Sequence, residues 1–310
     1  MRLGFAVKVL GEGGLPSHDT RRWQSGPHLR TSLGYLRDVF GYLDRHDIRM
    51  YRMATALAPY ASHPELPQFH HQVEECAAEL AEVGELAREL DLRLSTHPGQ
   101  YTVLNSESEA VRAAAVAELE VQGALFEAMG LGPEAVVVLH VGGAAGGHAA
   151  GADRFLAGFE QLSEAARSRL VLENDDRVFG LRQALVLAKR AGVPLVFDIH
   201  HHRCHNPEGL EDREALELAL GSWPAGVTPK IHFSSPRLDI GEKRKKVGRR
   251  VERTLVLPDA RLHADLIDPV AFEALLRHTA KGLEFDVMLE AKGKDLALLR
   301  LREQLGLPTT

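Results

Sequence analysis

The sequence predicts a single (β/α)₈ barrel of the α/β class, and three observations carry that prediction. Eight apolar, β-rich stretches alternate with about eight helical patterns along the 310 residues. Six of the eight stretches carry an imidazole or carboxylate at or just past their C-terminal ends. Gly and Pro-Gly punctuation separates the elements, as at Pro98-Gly99, Gly192 and Gly282. Parallel strands need crossover connections, which helices supply. In this architecture residues remote in sequence become neighbours on the rim formed by the strands' C-terminal ends.

The elements follow in order. The first strand, Arg2–Lys8, alternates around Leu3, Phe5 and Val7, and the second, Ile48–Ala54, around Ile48, Met50 and Arg52. Helix His28–Arg45 joins them. Helix Gln68–Leu90 repeats Val73, Ala77, Leu80, Val83, Ala87 and Leu90 at helical spacing and leads to strand Leu92–Pro98, which delivers His97. Helix Glu107–Met129 precedes strand Ala135–Val141, with His140. Helix Ala152–Ala166 precedes strand Arg169–Asp175, with Glu173. Helix Leu181–Ala191 precedes strand Pro194–His201, where Asp198 and His201 fall at the strand end and the start of its loop. Helix Asp212–Leu220 precedes strand Pro229–Ser235, whose alternation puts Lys230 and His232 on one face. Helix Asp268–Ala280 precedes strand Phe285–Lys292, with Glu290, and helix Leu296–Leu305 closes the chain. Residues 1–310 thus read as one barrel domain, interrupted after the seventh strand by a long insertion at 236–267.

Composition sets outer bounds. With 45% hydrophobic and 26% charged residues the chain reads as soluble and globular. No apolar run is long enough to span a membrane, and the N-terminus reads as a strand rather than a signal peptide. Two cysteines, Cys76 and Cys204, need no disulfide framework, so a cytoplasmic location is expected. The net charge of −6 argues weakly against polyanion binding, but the insertion differs: Arg237–Arg253 holds eight Lys or Arg against three acids. A loop of that charge after the seventh strand should hang over the rim.

Imidazole and carboxylate without thiolate suit Zn²⁺, Mn²⁺ or Fe²⁺. A single strand histidine is usually a satisfied core residue; six strand ends with the same decoration point to a shared cation site. A lysine at position 230, inside the barrel near cations, must be neutral, paired with an acid, or covalently modified. Gly142–Gly147 follows a strand but matches no nucleotide-binding fingerprint, so no nucleotide cofactor is expected.

Seven ordered motifs resemble the UV damage endonucleases, whose barrel is similar to those of endonuclease IV-type AP endonucleases and xylose isomerase-like enzymes. They are Ala61–Pro64 (A-S-H-P), His97–Tyr101 (H-P-G-Q-Y), Leu139–Gly143 (L-H-V-G-G), Leu172–Asp175 (L-E-N-D), Asp198–His201 (D-I-H-H), Pro229–Ser235 (P-K-I-H-F-S-S) and Glu290–Lys294 (E-A-K-G-K). The resemblance implies three divalent ions, usually Mn²⁺, with Zn²⁺ an alternative. It implies His63, His97, His140, Glu173, Asp198, His201, His232, His263 and Glu290 as ligands. Glu173, Glu290 and Lys230 become the catalytic residues, with Lys230 open to carboxylation. Gln100 and Tyr101 match a wedge that enters the duplex opposite the lesion. The implied substrate is UV-damaged double-stranded DNA, nicked immediately 5′ to the photoproduct by a monomer. Lys243, Arg244, Lys245, Lys246, Arg249 and Arg250 are expected to contact its phosphates. The chain departs from the family after its first strand, where an Asn near a Tyr is usual; here Lys8 is expected to take the polar role. Two rivals share the barrel. A sugar isomerase or epimerase would use Glu173, Asp198, His232 and Glu290 but leaves His97, His140 and the basic insertion unexplained; an AP endonuclease would act on abasic DNA.

Overall fold

The computed structural model describes residues 1–248 and 250–307. Eight parallel strands close a barrel: β1 (Leu3–Ala6), β2 (Met50–Arg52), β3 (Arg93–Thr96), β4 (Val136–His140), β5 (Leu170–Glu173), β6 (Leu195–Asp198), β7 (Lys230–Phe233) and β10 (Asp286–Leu289). Each lies beside its sequence neighbour, and β10 closes the circle between β7 and β1. The predicted fold class holds. The strands are shorter than their apolar stretches, so His97, His201 and Glu290 sit just beyond strand ends.

Strand alternation sorts each side chain to one of two environments. Val137, Leu139, Leu172, Phe197, Ile231, Val287 and Leu289 belong to the large core shared with the surrounding helices. The alternate residues Val136, Val138, Val171 and Val196 form a smaller buried cluster with Trp223. Continuing that second periodicity, Val138 is followed by His140, Val171 by Glu173, Val196 by Asp198 and Lys230 by His232. A floor of valines therefore underlies a polar layer at the C-terminal mouth. The register sets members of that layer side by side: His140 pairs with Glu173 and Asp198 with His232.

Several elements differ from the sequence expectation. Gln68–Leu90 is not one helix; a 3₁₀ turn at Pro67–Phe69 and a short helix at Gln72–Glu75 precede helix Ala77–Glu89. Buried Gln72 is the cause: its amide donates to the Pro59 and Phe69 carbonyls and accepts the Leu29 N–H, pinning the chain where a helix would continue. Ala152–Ala166 splits into His148–Phe159 and Glu164–Arg167, because Ser163 caps the second piece and is itself held by Glu120. Asp268–Ala280 becomes an α-helix over Pro269–Ala274 with a π-helical last turn over Leu275–Thr279. His201 lies in a short helix, Ile199–Cys204, rather than a loop, because the Asp198 carboxylate caps it by accepting the His201 N–H.

The insertion also differs. It contains an antiparallel hairpin, β8 (Gly241–Val247) and β9 (Arg250–Val256), instead of a loop. Its base is closed by a bridge between Pro236 and His263, so the hairpin leaves from the C-terminal end of β7, on the mouth side.

Candidate metal centre

Glu173 is the hub of the mouth. It is fully buried, and one oxygen lies 2.8 Å from His97 Nε2 and 3.5 Å from His140 Nε2. The other lies 2.6 Å from His232 Nδ1 and 3.6 Å from His201 Nδ1. Two ligand groups result: His97, Glu173, His232 and Glu290, and His140, Glu173 and His201, each with its donor atoms within 4.8 Å of one another. Glu173 belongs to both, as a carboxylate bridging two cation positions would. Asp198 and His263 border the same space, with Asp198 Oδ2 at 3.7 Å from His201 Nδ1 and His263 Nδ1 at 3.6 Å from Glu290 Oε2.

Local backbone explains the aim of these groups. Buried Asn174 donates to the Asp198 carbonyl and accepts the Asp198 N–H, so it staples β5 to β6 beside the two acids. Its own carbonyl lies 3.0 Å from His201 Nδ1. Beyond His140 the chain must turn at once: Gly142 has φ +102°, and a Cβ there would lie 2.4 Å from Asn105 Oδ1.

The electrostatics follow from burial and neighbours. Burial would push Glu173 up, yet His232, His140 and His97 together draw it well below the usual carboxylate range. Glu290 is likewise drawn down, against burial, first by Arg52 and then by His232. Asp198 goes the other way, because burial outweighs the pull of His201 and lifts it to about 7. His201 is opposed by burial but raised to about 9 by Asp198 and Glu173. Burial lowers His232 to about 4. Lys230, fully buried, is pushed well below its ordinary range by burial and by the positive charges of Arg52 and Arg93. Its Nζ has no hydrogen-bond partner among the described residues, and neither has Asp198 Oδ2. Nitrogen and oxygen donors, a shared carboxylate and two orphaned buried polar atoms fit divalent cations.

The remaining predicted residues divide. Tyr101 stands 84% exposed in a tight turn that begins at Gly99, with Gln100 exposed beside it. Tyr101 and His63 line a neighbouring cavity of about 610 Å³, together with Arg21 and Tyr60. His63 falls outside both ligand groups; its Nδ1 accepts the Glu65 N–H. Lys8 is exposed beyond Val7, whose φ of +67° is unusual for a β-branched residue. Lys243, Arg244, Lys245, Lys246 and Arg250 are exposed on the hairpin, and Arg249 lies outside the described residues.

The sequence profile described as UV-endonuclease UvdE matches residues 29–308. The chain belongs to this family. Two curated UV DNA damage endonucleases agree with the UvdE assignment. The Bacillus pumilus protein is 35% identical over 264 residues, covering 84% of this chain and 76% of its own length. The Bacillus velezensis protein is 32% identical over 267 residues, covering 86% and 77%. The crystal structure of SacUVDE matches with a TM-score of 0.81 and 28% identity over 99% of each chain. A D-tagatose 3-epimerase-like protein, with a TM-score of 0.57 at 16% identity over 99% and 96%, shares the barrel alone. The resemblance read from the seven motifs therefore holds for family and fold, and for the enzyme class, an endonuclease of the UvdE family. UvdE membership makes DNA the substrate, and no helix among the described residues is long and apolar enough to cross a membrane.

One charged member of the mouth was missed as a site residue. Arg52, at the end of β2, places Nη2 2.5 Å from Glu290 Oε1 and 2.9 Å from His232 Nε2. Arginine can only donate, so His232 Nε2 accepts, which leaves Nδ1, beside Glu173, as the ring nitrogen that could hold a cation. The signal was available: alternation from Met50 places Arg52 on the barrel's inner face, where a cation needs a partner. Below it, Arg93 and Asp286 pair at 2.8 Å on the barrel floor.

Proposed function

We propose that this UvdE-family enzyme hydrolyses the phosphodiester immediately 5′ to a cyclobutane pyrimidine dimer or (6-4) photoproduct in double-stranded DNA, leaving a 3′-hydroxyl and a 5′-phosphate. The observation that carries the reading is Glu173, one buried carboxylate shared by two histidine-rich ligand groups at the mouth of the barrel. His97, Glu173, His232 and Glu290 would hold one divalent ion, and His140, Glu173 and His201 a second. Asp198 and His263 would contribute to a third position and His63 would be a further ligand, with Mn²⁺ the foremost candidate metal and Zn²⁺ the alternative. Such ions supply Lewis acidity, activating water for attack at phosphorus and offsetting charge on the departing 3′-oxygen.

The chain's own residues do the remaining work. Arg52 orients Glu290 and His232. Lys230 precedes His232 in the same inner row, one step deeper. Its neutral amine can add CO₂ with loss of a proton, giving a carbamate that supplies a further anionic ligand beside Glu173 and Glu290. Tyr101 and Gln100 would fill the gap left when the lesion is flipped from the stack, a step that costs a few kcal/mol and less where damage has weakened pairing. Hairpin cations would contact backbone phosphates, with Lys8, just past β1, adding a further cation at the rim. In this reading residues 1–310 act as one barrel domain carrying the 236–267 appendage, working as a monomer in the cytoplasm.

The test compares UV-irradiated, abasic and intact duplexes with Mn²⁺ and with chelator. Nicking confined to the irradiated duplex and abolished by chelator is expected. Equal cleavage of abasic DNA would widen the substrate class, and no cleavage of irradiated DNA would refute the reading. Elemental analysis should find close to three metal ions per chain; close to one would favour an isomerase-type centre. Tyr101→Ala should reduce discrimination between damaged and intact duplex more than general affinity for DNA.

A further inference from the structure

A second charged concavity opens beside the metal-ligand crater. Its volume is about 350 Å³, and Glu290 is the acid in its lining. Around it stand Arg52 from β2, Arg261 and His263 from the return of the insertion, and Lys292 and Lys294 after β10. Arg52 already neutralises Glu290 at 2.5 Å. The excess positive charge of Arg261, Lys292 and Lys294 therefore faces open space. Among the described residues neither lysine forms a salt bridge, and Arg261 has only a long contact, 3.9 Å, to Asp176.

The backbone shows that this arrangement is built rather than incidental. The Lys292 N–H donates to the Ala264 carbonyl at 3.0 Å and the Gly293 N–H to the Asp265 carbonyl at 2.8 Å, so the turn bearing both lysines is tied to the returning insertion. Lys294 has φ +50°, the left-handed region that glycine enters freely and a long side chain does not. Strain of this kind gathers at binding sites, where the surrounding structure holds it in place. The location is also telling. The loops after the last two barrel strands and the start of an ensuing helix frequently form a phosphate site in (β/α)₈ barrels; here Lys294 is the first residue of helix Lys294–Leu305.

We propose that this cavity is a phosphate subsite, taking a backbone phosphodiester next to the one that is cut. Lys294 is its principal cation, and Lys292 and Arg261 flank it. The proposal rests on the endonuclease reading above and adds to it a fixed contact that sets which phosphate lies over the crater. A bound anion there would register the strand, as phosphate contacts generally do, without reading its sequence. None of these three residues is among the ligands assigned to the metals.

The test uses the full-length, metal-loaded protein and duplexes with a single photoproduct, in which each phosphate flanking the nick is replaced in turn by an uncharged methylphosphonate. The wild type should lose about tenfold in kcat/KM, through KM, at one flanking position. In Lys294→Gly that penalty should vanish, because the charge it answers is gone, while KM for the unmodified duplex rises about tenfold and kcat holds. Metal content should be unchanged, and the melting temperature unchanged or higher, since glycine relieves the φ of +50°. Lys294→Arg should restore much of the KM. A penalty that persists in Lys294→Gly, a wild-type KM in that variant, or loss of its metal would each overturn the subsite. If the wild type fails to nick any duplex, the endonuclease reading fails separately. Equilibrium binding of the same duplexes to both proteins then decides the subsite: coupling at one position supports it and its absence overturns it.

Discussion

Glu173 is fully buried and lies within salt-bridge distance of four imidazoles, whereas every residue of β9, Arg250–Val256, is exposed to solvent. Both regions occupy the C-terminal side of one barrel, and both are proposed to meet the same duplex. They are organised by opposite physics. In the crater, strand register, valine packing and the Asn174 staple place each group before any ligand arrives. On the hairpin, paired strands hold a field of cations in water, where screening is strong and geometry is loose. The crater should therefore respond to single-atom changes, and the hairpin only to changes in total charge.

The largest expected effect is at Glu173. Glu173→Gln keeps the shape but removes the charge that both ligand groups share. Nicking should fall by about 10³-fold or more, with metal lost from both groups on elemental analysis. A variant with normal turnover would remove the hub from the mechanism. Glu290→Gln should be milder in metal loss, because Glu290 serves one group only.

Arg52 comes next. Its guanidinium is almost fully buried against Glu290 and His232. Arg52→Met would strand a buried carboxylate, and removing one partner of a buried pair costs about 3 kcal/mol or more. Chemical denaturation of the chelated protein should show that loss, and added Mn²⁺ should recover part of it by supplying a cation to Glu290. Stability equal to wild type in chelator would mean that Glu290 is adequately solvated without its partner.

These two residues also mark what the sequence could and could not disclose. Glu173 was legible because an acid closing an apolar strand has few innocent explanations, and five other strand ends repeat the pattern. Arg52 is hard to recognise as a site residue in the sequence, because a lone arginine at a strand end resembles an ordinary solvent-facing charge. The barrel was legible through periodicity alone; the breaks at Gln72 and Ser163 were not, because they depend on partners from other elements. The Asp198–His201 turn read as a loop because the capping bond that makes it helical is invisible in composition. The hairpin was obscured by its own charge, because Gly241–Val247 has no apolar alternation; Gly248, which takes φ +61° in the turn, is the one residue type that hints at it.

A loop with a buried anchor and an exposed tip lies between the two extremes. Asp19 is buried and accepts from the Arg21 side chain at 2.6 Å and 2.9 Å and from the His28 N–H at 3.0 Å. The Arg21 guanidinium foremost, then the backbone bonds, hold its carboxyl at about 2 rather than 3.8. A depressed folded value means stability that is present above the ordinary pKa and is lost as pH falls toward about 2. The full contribution is on the order of 2 kcal/mol. In urea unfolding, the wild type should exceed Asp19→Asn by about that amount at neutral pH, with the gap narrowing below about pH 4. A gap independent of pH would assign the loss to packing and remove the ionic anchor.

The smallest effect per residue belongs to the hairpin, and it tests the contrast most directly. Lys243 and Lys245 share one face of the ribbon with Thr254, Glu252 and Arg250, while Arg244 and Lys246 share the other with Arg253 and Val251. Charge is spread over both faces, so no single lysine is positioned as the crater ligands are. Replacing Lys243, Lys245 and Lys246 with Gln should weaken DNA binding by about tenfold at physiological salt. The slope of log K against log salt should fall by about one for each phosphate that is no longer neutralised. Turnover at saturating DNA should not change, because no hairpin residue belongs to either ligand group. The same total loss should follow if the three substitutions are moved to Arg244, Arg250 and Arg253, since a diffuse field depends on the sum and not on the address. If one set abolishes nicking and the other is silent, the ribbon is a positioned reader of the duplex and its difference from the crater disappears.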